Sequence, residues 1–179
     1  MKTKKIVITG GPSTGKSSII EKLCKIGYQC KSEISREIIL ESQKKGINQL
    51  FLQNPFKFSE IIFKKRKLEF KATNKSNDPF VFFDRGLPDV IAYMDYAKEN
   101  YSKKNFADCN KYKYDHVFIL YPWQKIYKQD NERYETYDQC VEIHNFLVKW
   151  YKKLGYELTR VPETSVDNRV NFILSNIWL

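Results

Sequence analysis

The chain has 179 residues, 42% of them hydrophobic and 15% aromatic, enough for one domain with its own core and too few for two comfortable ones. Its 31 Lys and Arg outweigh 21 Asp and Glu for a formal charge of +10, which favours a phosphate-bearing ligand, a nucleic acid or an anionic lipid surface as partner. Disorder is excluded by the apolar content, and a zinc site or a disulfide framework by the spacing of Cys24, Cys30, Cys109 and Cys140, which form no Cys-x-x-Cys pair.

After a basic start the apolar run Ile6-Val7-Ile8 is too short for a signal sequence, and no stretch approaches the ~20 apolar residues of a membrane span, so a cytoplasmic location is expected. Lys5–Thr9 reads as a buried strand, followed by a Gly-rich turn and a helix over Lys16–Ile26 stopped by Gly27. Tyr28–Ser32 is a second strand and Ser35–Lys45 a helix ended by Gly46. Asn54-Pro55 is an N-cap with proline at the first helical position, opening a long basic helix to about Ala72.

Phe80-Val81-Phe82-Phe83 is a continuous apolar run, hence a strand buried on both faces, and it leads straight into Asp84. Pro88 starts a helix to about Lys98; a Lys- and Tyr-rich stretch follows, and then a strand over Val117–Leu120. Residues 124–137 are polar and suit a short lid. Cys140, Ile143, Leu147, Trp150 and Leu154 recur at helical spacing before Gly155, Tyr156–Val161 supplies a fifth strand, and Ser165 caps a last helix bearing Val170, Ile173 and Leu174. Strands alternating with helices predict a three-layer α/β/α fold, with a five-stranded parallel sheet in a single domain. Such sheets bind ligands at the C-terminal ends of their strands.

The strongest chemical signal is Gly10-Gly11-Pro12-Ser13-Thr14-Gly15-Lys16-Ser17, a full Gly-x-x-x-x-Gly-Lys-Ser phosphate loop placed between a strand and a helix. Backbone N–H groups of such a loop curl around phosphates, with Ser18 in the first helical turn beside them. Lys16 reaches the outer phosphates, and the Ser17 hydroxyl joins a Mg²⁺ shell. Asp84, at a strand end, is the candidate second metal residue, and Arg85 beside it needs an anionic partner, which a bound phosphate would supply. Glu33 and Arg36 share a helix face at the end of the second strand. There the carboxylate can accept the proton of an attacking hydroxyl while the arginine holds the acceptor. Arg133, in the lid, can carry charge to the transferring phosphoryl group.

Weaker candidates read as structure. Trp123 and His144 are assigned to packing, His116 to its strand, and the Lys64-Lys65-Arg66-Lys67 run to a solvated helix face.

Four segments carry a family resemblance: Ile8 to Ser17, Glu33-x-x-Arg36-Glu37-Ile38-Ile39, Asp84-Arg85-Gly86-Leu87-Pro88-Asp89 and Gln129-Asp130-x-Glu132-Arg133. In these the chain resembles the small AAA-type P-loop ATPases that sit beside the ribosylnicotinamide kinase domains of bacterial NAD-biosynthesis regulators. It is also similar to deoxynucleoside and nucleoside monophosphate kinases. In those enzymes a carboxylate after the second strand, an acidic-Arg pair after the third and a lid arginine act together. Here Ile34 follows the carboxylate where those kinases have proline, and Gly86 follows the pair where they have Ser or Tyr.

The resemblance implies ATP with Mg²⁺, GTP being the alternative, and γ-phosphate transfer to a nucleoside, nucleotide or nicotinamide-riboside-like acceptor. Some relatives bind nucleotide and anionic lipid instead, which makes a slow nucleotide switch the competing reading. Nucleic acid is disfavoured, with only the net charge behind it, and oligomeric state has no signature in the sequence.

Overall fold

The computed structural model describes residues 3–32, 34, 35, 38, 54–128 and 135–177. Five strands, β1 (Lys4–Gly10), β2 (Gln29–Lys31), β3 (Phe80–Asp84), β4 (His116–Leu120) and β5 (Thr159–Arg160), form one parallel sheet in the order β2-β3-β1-β4-β5. Among the described residues six α-helices surround it: α1 (Lys16–Lys25), α2 (Pro55–Ala72), α3 (Leu87–Tyr96), α4 (Lys103–Lys111), α5 (Tyr137–Lys153) and α6 (Val166–Ile177).

Alternation along the strands sorts their side chains into two cores. Val7, Val81, Phe83 and Val117 pack with residues of α2, α3, α4 and α5 on one face. Ile6, Ile8, Phe80, Phe82, Phe118 and Leu120 pack with α1 and α6 on the other. The result is the expected three-layer α/β/α sandwich. Because α1 leaves β1 toward one face and α3 leaves β3 toward the other, a crevice opens at the C-terminal ends of these neighbouring strands, where open parallel sheets bind their ligands.

Local chemistry sets the helix ends. The Asn54 side chain accepts the Lys57 N–H at 2.9 Å with Pro55 opening α2. Thr136 and Gln139 form a reciprocal capping box at the start of α5, an arrangement worth about 1 kcal/mol. Ser165 accepts the Asn168 N–H at 3.3 Å ahead of α6.

Three sequence expectations need correction. The Lys- and Tyr-rich stretch contains α4, whose apolar content is too thin to show a periodicity: among its nine residues only Asn105 and Cys109 are buried. The last strand is confined to Thr159–Arg160, a sheet edge paired with β4 alone. Arg66 is not on a solvated face; it is buried, and its Nη1 donates to the Asp84 carbonyl at 2.8 Å. Lys64 is exposed as expected, while Lys67 pairs with Asp108 at 2.5 Å. The expected helix over 35–45 lies mostly outside the described residues, as does the centre of the lid segment, 129–134.

Candidate nucleotide site

The phosphate loop leaves the middle strand of the sheet. Gly10 is still in register with Leu120 of β4, and the chain then turns through Ser13 (φ 57°) and Gly15 (φ 88°) into α1. Gly15 adopts the left-handed region, where a Cβ is strained, and one placed there would fall 2.9 Å from Arg169 Nη1. At Gly11 the constraint is contact: a Cβ would lie 2.8 Å from Cys140 Sγ and 2.9 Å from the Cys140 carbonyl oxygen. The first turn of α5, which follows the lid segment, is thus seated directly on the loop, and the Cys140 thiol donates to the Pro12 carbonyl at 3.1 Å. Burial pushes this thiol's pKa up, an effect that Lys16 and Arg85 partly offset.

Lys16 is buried and folded into the loop, its ammonium donating to the Gly11 carbonyl at 2.6 Å and reaching Thr14 Oγ1 at 3.4 Å. Thr14 also donates to the Gly11 carbonyl at 2.9 Å. The Ser13 hydroxyl donates to the Lys128 carbonyl at 2.7 Å, joining the loop to the near side of the lid segment. Ser17 and Ser18 lie in the first turn of α1 with side chains not fully buried.

Asp84 and Arg85 stand beside the loop because β3 is the neighbour of β1: Asp84 is in register with Ile8, and the Arg85 N–H donates to the Ile8 carbonyl at 3.0 Å. Arg85 has the left-handed φ of 71°, an unusual conformation for a residue with a Cβ. Its guanidinium lies 5.2 Å over the Tyr93 ring, and Nη1 donates to the Gly10 carbonyl at 3.0 Å.

The expectation that Arg85 needs a bound phosphate as its partner is corrected by Asp89, whose Oδ1 lies 3.6 Å from Nη1. Asp89 is 1% exposed and is a polar hub. Oδ1 accepts the Thr9 hydroxyl at 2.6 Å, and Oδ2 accepts the Gly86 N–H at 2.7 Å and the Tyr151 hydroxyl at 2.5 Å. β1, the Asp84-Arg85-Gly86 turn, α3 and α5 therefore meet on one carboxylate. Burial and this carboxylate hold the Tyr151 hydroxyl well above its ordinary pKa.

On the other flank, Arg169 of α6 donates from Nη1 to the Thr14 carbonyl at 3.2 Å and lies 4.8 Å over the Trp123 ring. Next to it Arg160 covers Tyr121 at 4.2 Å, and Tyr121 packs against His144. Burial, with Arg160 nearby, lowers the His144 pKa to about 4. Trp123 and His144 are packing groups, as expected.

Of the candidate site residues, the structure brings Gly10 to Ser18, Asp84 and Arg85 together at one crevice. Glu33, Arg36 and Arg133 lie outside the described residues. Sequence reasoning missed Asp89, Tyr151 and Arg169 as parts of the site. Asp89 had a signal, since it closes the Asp84-to-Asp89 segment; Arg169 had none, being 155 residues away from its partner Thr14.

A parallel sheet in this order, with a phosphate loop after β1 and an Asp-Arg pair after β3, defines a P-loop protein of the nucleoside- and nucleotide-kinase fold. The chain belongs to the AAA_28 family, an AAA domain whose family model matches residues 5–169. The sequence has no significant match among curated proteins.

The fold is similar to that of deoxyadenosine kinase from M. mycoides with bound dATP, at a TM-score of 0.68 and 19% identity, covering 98% of this chain and 100% of that one. It is also similar to NadR in complex with NR (TM-score 0.70, 15% identity), covering 99% of this chain and 50% of that one. Thymidylate kinase from Candida albicans gives a TM-score of 0.63 at 17% identity, covering 99% of this chain and 92% of that one. No helix among the described residues is long and apolar enough to cross a membrane.

Proposed function

We propose that the protein transfers the γ-phosphate of a nucleoside triphosphate, ATP before GTP, to a small-molecule acceptor in a Mg²⁺-dependent reaction, with residues 1–179 acting as one cytoplasmic domain. The observation that carries this reading is the full Gly10-to-Ser17 loop at the end of β1 with the Asp84-Arg85 pair of β3 alongside it. The kinase folds of the similar structures support it.

The donor set suits Mg²⁺: the Ser17 hydroxyl and the Asp84 carboxylate are hard oxygen ligands. Among the described residues no cluster of three or more His, Cys, Asp or Glu forms a cage of its own. Mg²⁺ is normally held in this way, by one or two protein oxygens together with substrate phosphates. When bound, the ion neutralises charge building up on the phosphate oxygens.

Lys16 is the loop cation that a bound phosphate would draw away from the Gly11 carbonyl. Arg85 presents a guanidinium held in place from below by Asp89, which suits it to the transferring phosphoryl group or to an anionic acceptor. Glu33 is assigned the acceptor's proton, Arg36 the acceptor itself, and Arg133 the charge delivered from the lid. The acceptor class is a nucleoside, a nucleotide or a nicotinamide-riboside-like compound.

The test is a screen of the purified protein with labelled ATP and GTP against such acceptors. Glu33→Gln is then expected to lower transfer by about 10²–10⁴-fold, with nucleotide affinity nearly unchanged. Slow hydrolysis with no acceptor, untouched by Glu33→Gln, would replace the kinase with a nucleotide-gated binding protein, for which an anionic lipid is the first partner to try.

A further inference from the structure

Arg169 is only 4% exposed, and among the described residues no carboxylate pairs with it directly. Its Nη1 ends on a neutral acceptor, the Thr14 carbonyl, and its buried Nε has no hydrogen-bond partner. Among the described residues no carboxylate lies within ion-pair distance of it; the nearby Glu163 is paired with Arg160 at 2.9 Å. The guanidinium lies 4.8 Å from the centre of the Trp123 ring, so the fork cannot swing out to water without leaving that contact. Arginine stays charged even when burial opposes it, and a desolvated charge without a partner is strongly unfavourable. Arg85, the other buried arginine on the loop, has the Asp89 carboxylate beside it, whereas Arg66, like Arg169, ends on a backbone carbonyl.

The location supplies the missing half. Nη1 touches the loop at Thr14 and stands 2.9 Å from where a Cβ on Gly15 would be, one residue before Lys16. We propose that Arg169 is a positioning residue of the phosphate loop, holding the Thr14-Gly15 turn from behind, and that the counter-charge to its guanidinium is the polyphosphate chain of the bound nucleotide. The inference rests on the nucleotide reading of the loop and adds a residue to it. No atom of Arg169 has to touch the ligand: the loop backbone lies between them, and the two charges act on each other across it.

A role confined to packing and a role in charge balance differ in how they depend on the ligand. Loss of packing weakens every nucleotide by the same factor. Loss of a charge weakens ATP more than ADP and ADP more than AMP, by about threefold per added phosphate charge, the size of a Coulomb interaction at roughly 6 Å in water-like screening.

Calorimetric titration of ATP, ADP and AMP into the wild type, Arg169→Lys and Arg169→Gln reads this directly. Arg169→Gln is expected to show the graded loss. Arg169→Lys is expected to keep the wild-type ratio of ATP to ADP affinity while binding all three more weakly, since Lys retains the charge and loses the fork. Should Arg169→Gln fail to fold, Trp123→Glu supplies Arg169 with a carboxylate inside an intact chain, and the same graded loss is expected. An equal loss for the three nucleotides, or no loss, overturns the charge role while leaving the nucleotide reading in place. A wild type that binds none of them overturns both.

Discussion

The two ends of the phosphate loop are each held by a buried arginine on a backbone carbonyl, and the two are built differently. At the Gly10 end Arg85 is backed by Asp89, which is itself saturated by Thr9, Gly86 and Tyr151. At the Thr14 end Arg169 is backed by an aromatic face and, among the described residues, by no carboxylate. The first end is complete in the polypeptide. Among the described residues the second leaves positive charge over. A loop that must hold a polyanion and release it again gains from this arrangement: one end stays rigid whatever is bound, and the other is stabilised most when the site is filled.

The largest expected effect tests the rigid end. Asp89→Ala removes the carboxylate beside Arg85 and the acceptor shared by Thr9, Gly86 and Tyr151, and taking one partner out of a buried charged network typically costs about 3–5 kcal/mol. A urea titration should show a loss of that order. Arg169→Gln strands no charge and removes one that burial opposes, so its loss should not exceed about 1 kcal/mol, the scale of one hydrogen bond. Equal losses for the two variants would break the contrast between the ends.

Next in size is Lys16→Ala, between the two. Its ammonium bonds within the loop to Gly11 and Thr14, in the hydrogen bonds described above. Nucleotide affinity should therefore fall about 100-fold, as expected for losing a charge-assisted contact of ~3 kcal/mol, with the melting temperature nearly unchanged. Unaltered affinity in a folded variant would remove the loop from the binding site altogether.

A smaller effect than those of Asp89 and Lys16 is a pH dependence, and it separates the loop's anchors from the packing beside them. His144 has its pKa lowered from 6.5 to about 4, through burial and the nearby Arg160. The unfolded chain therefore takes up a proton that the fold refuses. The penalty is absent above pH 6.5, grows as the pH falls, and is complete below about 4, reaching roughly 1–2 kcal/mol once solvent screening is allowed for. His144→Gln should flatten that part of the stability profile without altering nucleotide affinity at pH 7.5. A fall in affinity would tie the Tyr121-His144-Arg160 stack to the Thr14 end of the loop.

Much of this architecture was legible in local sequence, for identifiable reasons. The apolar run Phe80 to Phe83 could only be a doubly buried strand, and the phosphate loop is a contiguous motif whose spacing is dictated by the ligand. Asn54-Pro55 and Gly27 mark helix ends through backbone chemistry that needs no tertiary partner.

What escaped was set by long-range packing. Helix α4 shows no apolar period, because its contact with the core is confined to a short stripe ending at Cys109. Arg66 sits in a run of lysines, and only the fold reveals that its position on α2 faces Asp84. Arg85 appeared to lack a partner because Asp89, four residues on, becomes a neighbour only when the left-handed turn at Arg85 brings α3 round. Arg169 sits on a helix whose visible pattern was the stripe of Val170 and Ile173, and nothing in that pattern points at residue 14.

The order of strands also governs how the protein comes to fold. β1 lies at the centre of the sheet, and its two neighbours are β3 and β4, in register from Lys4↔Phe80 and from Ile6↔His116. No hairpin can nucleate such a sheet, since every pairing closes a long loop before any contact rewards it, and parallel topologies of this kind assemble slowly. The phosphate loop is encoded within residues 10–17, yet its backbone is clamped by residues 85, 140 and 169. A chain stalled before α6 would carry the whole motif and still lack the loop's shape. Binding competence is thus acquired in a late, cooperative step, and a nucleotide present during refolding should speed the final consolidation rather than the early collapse.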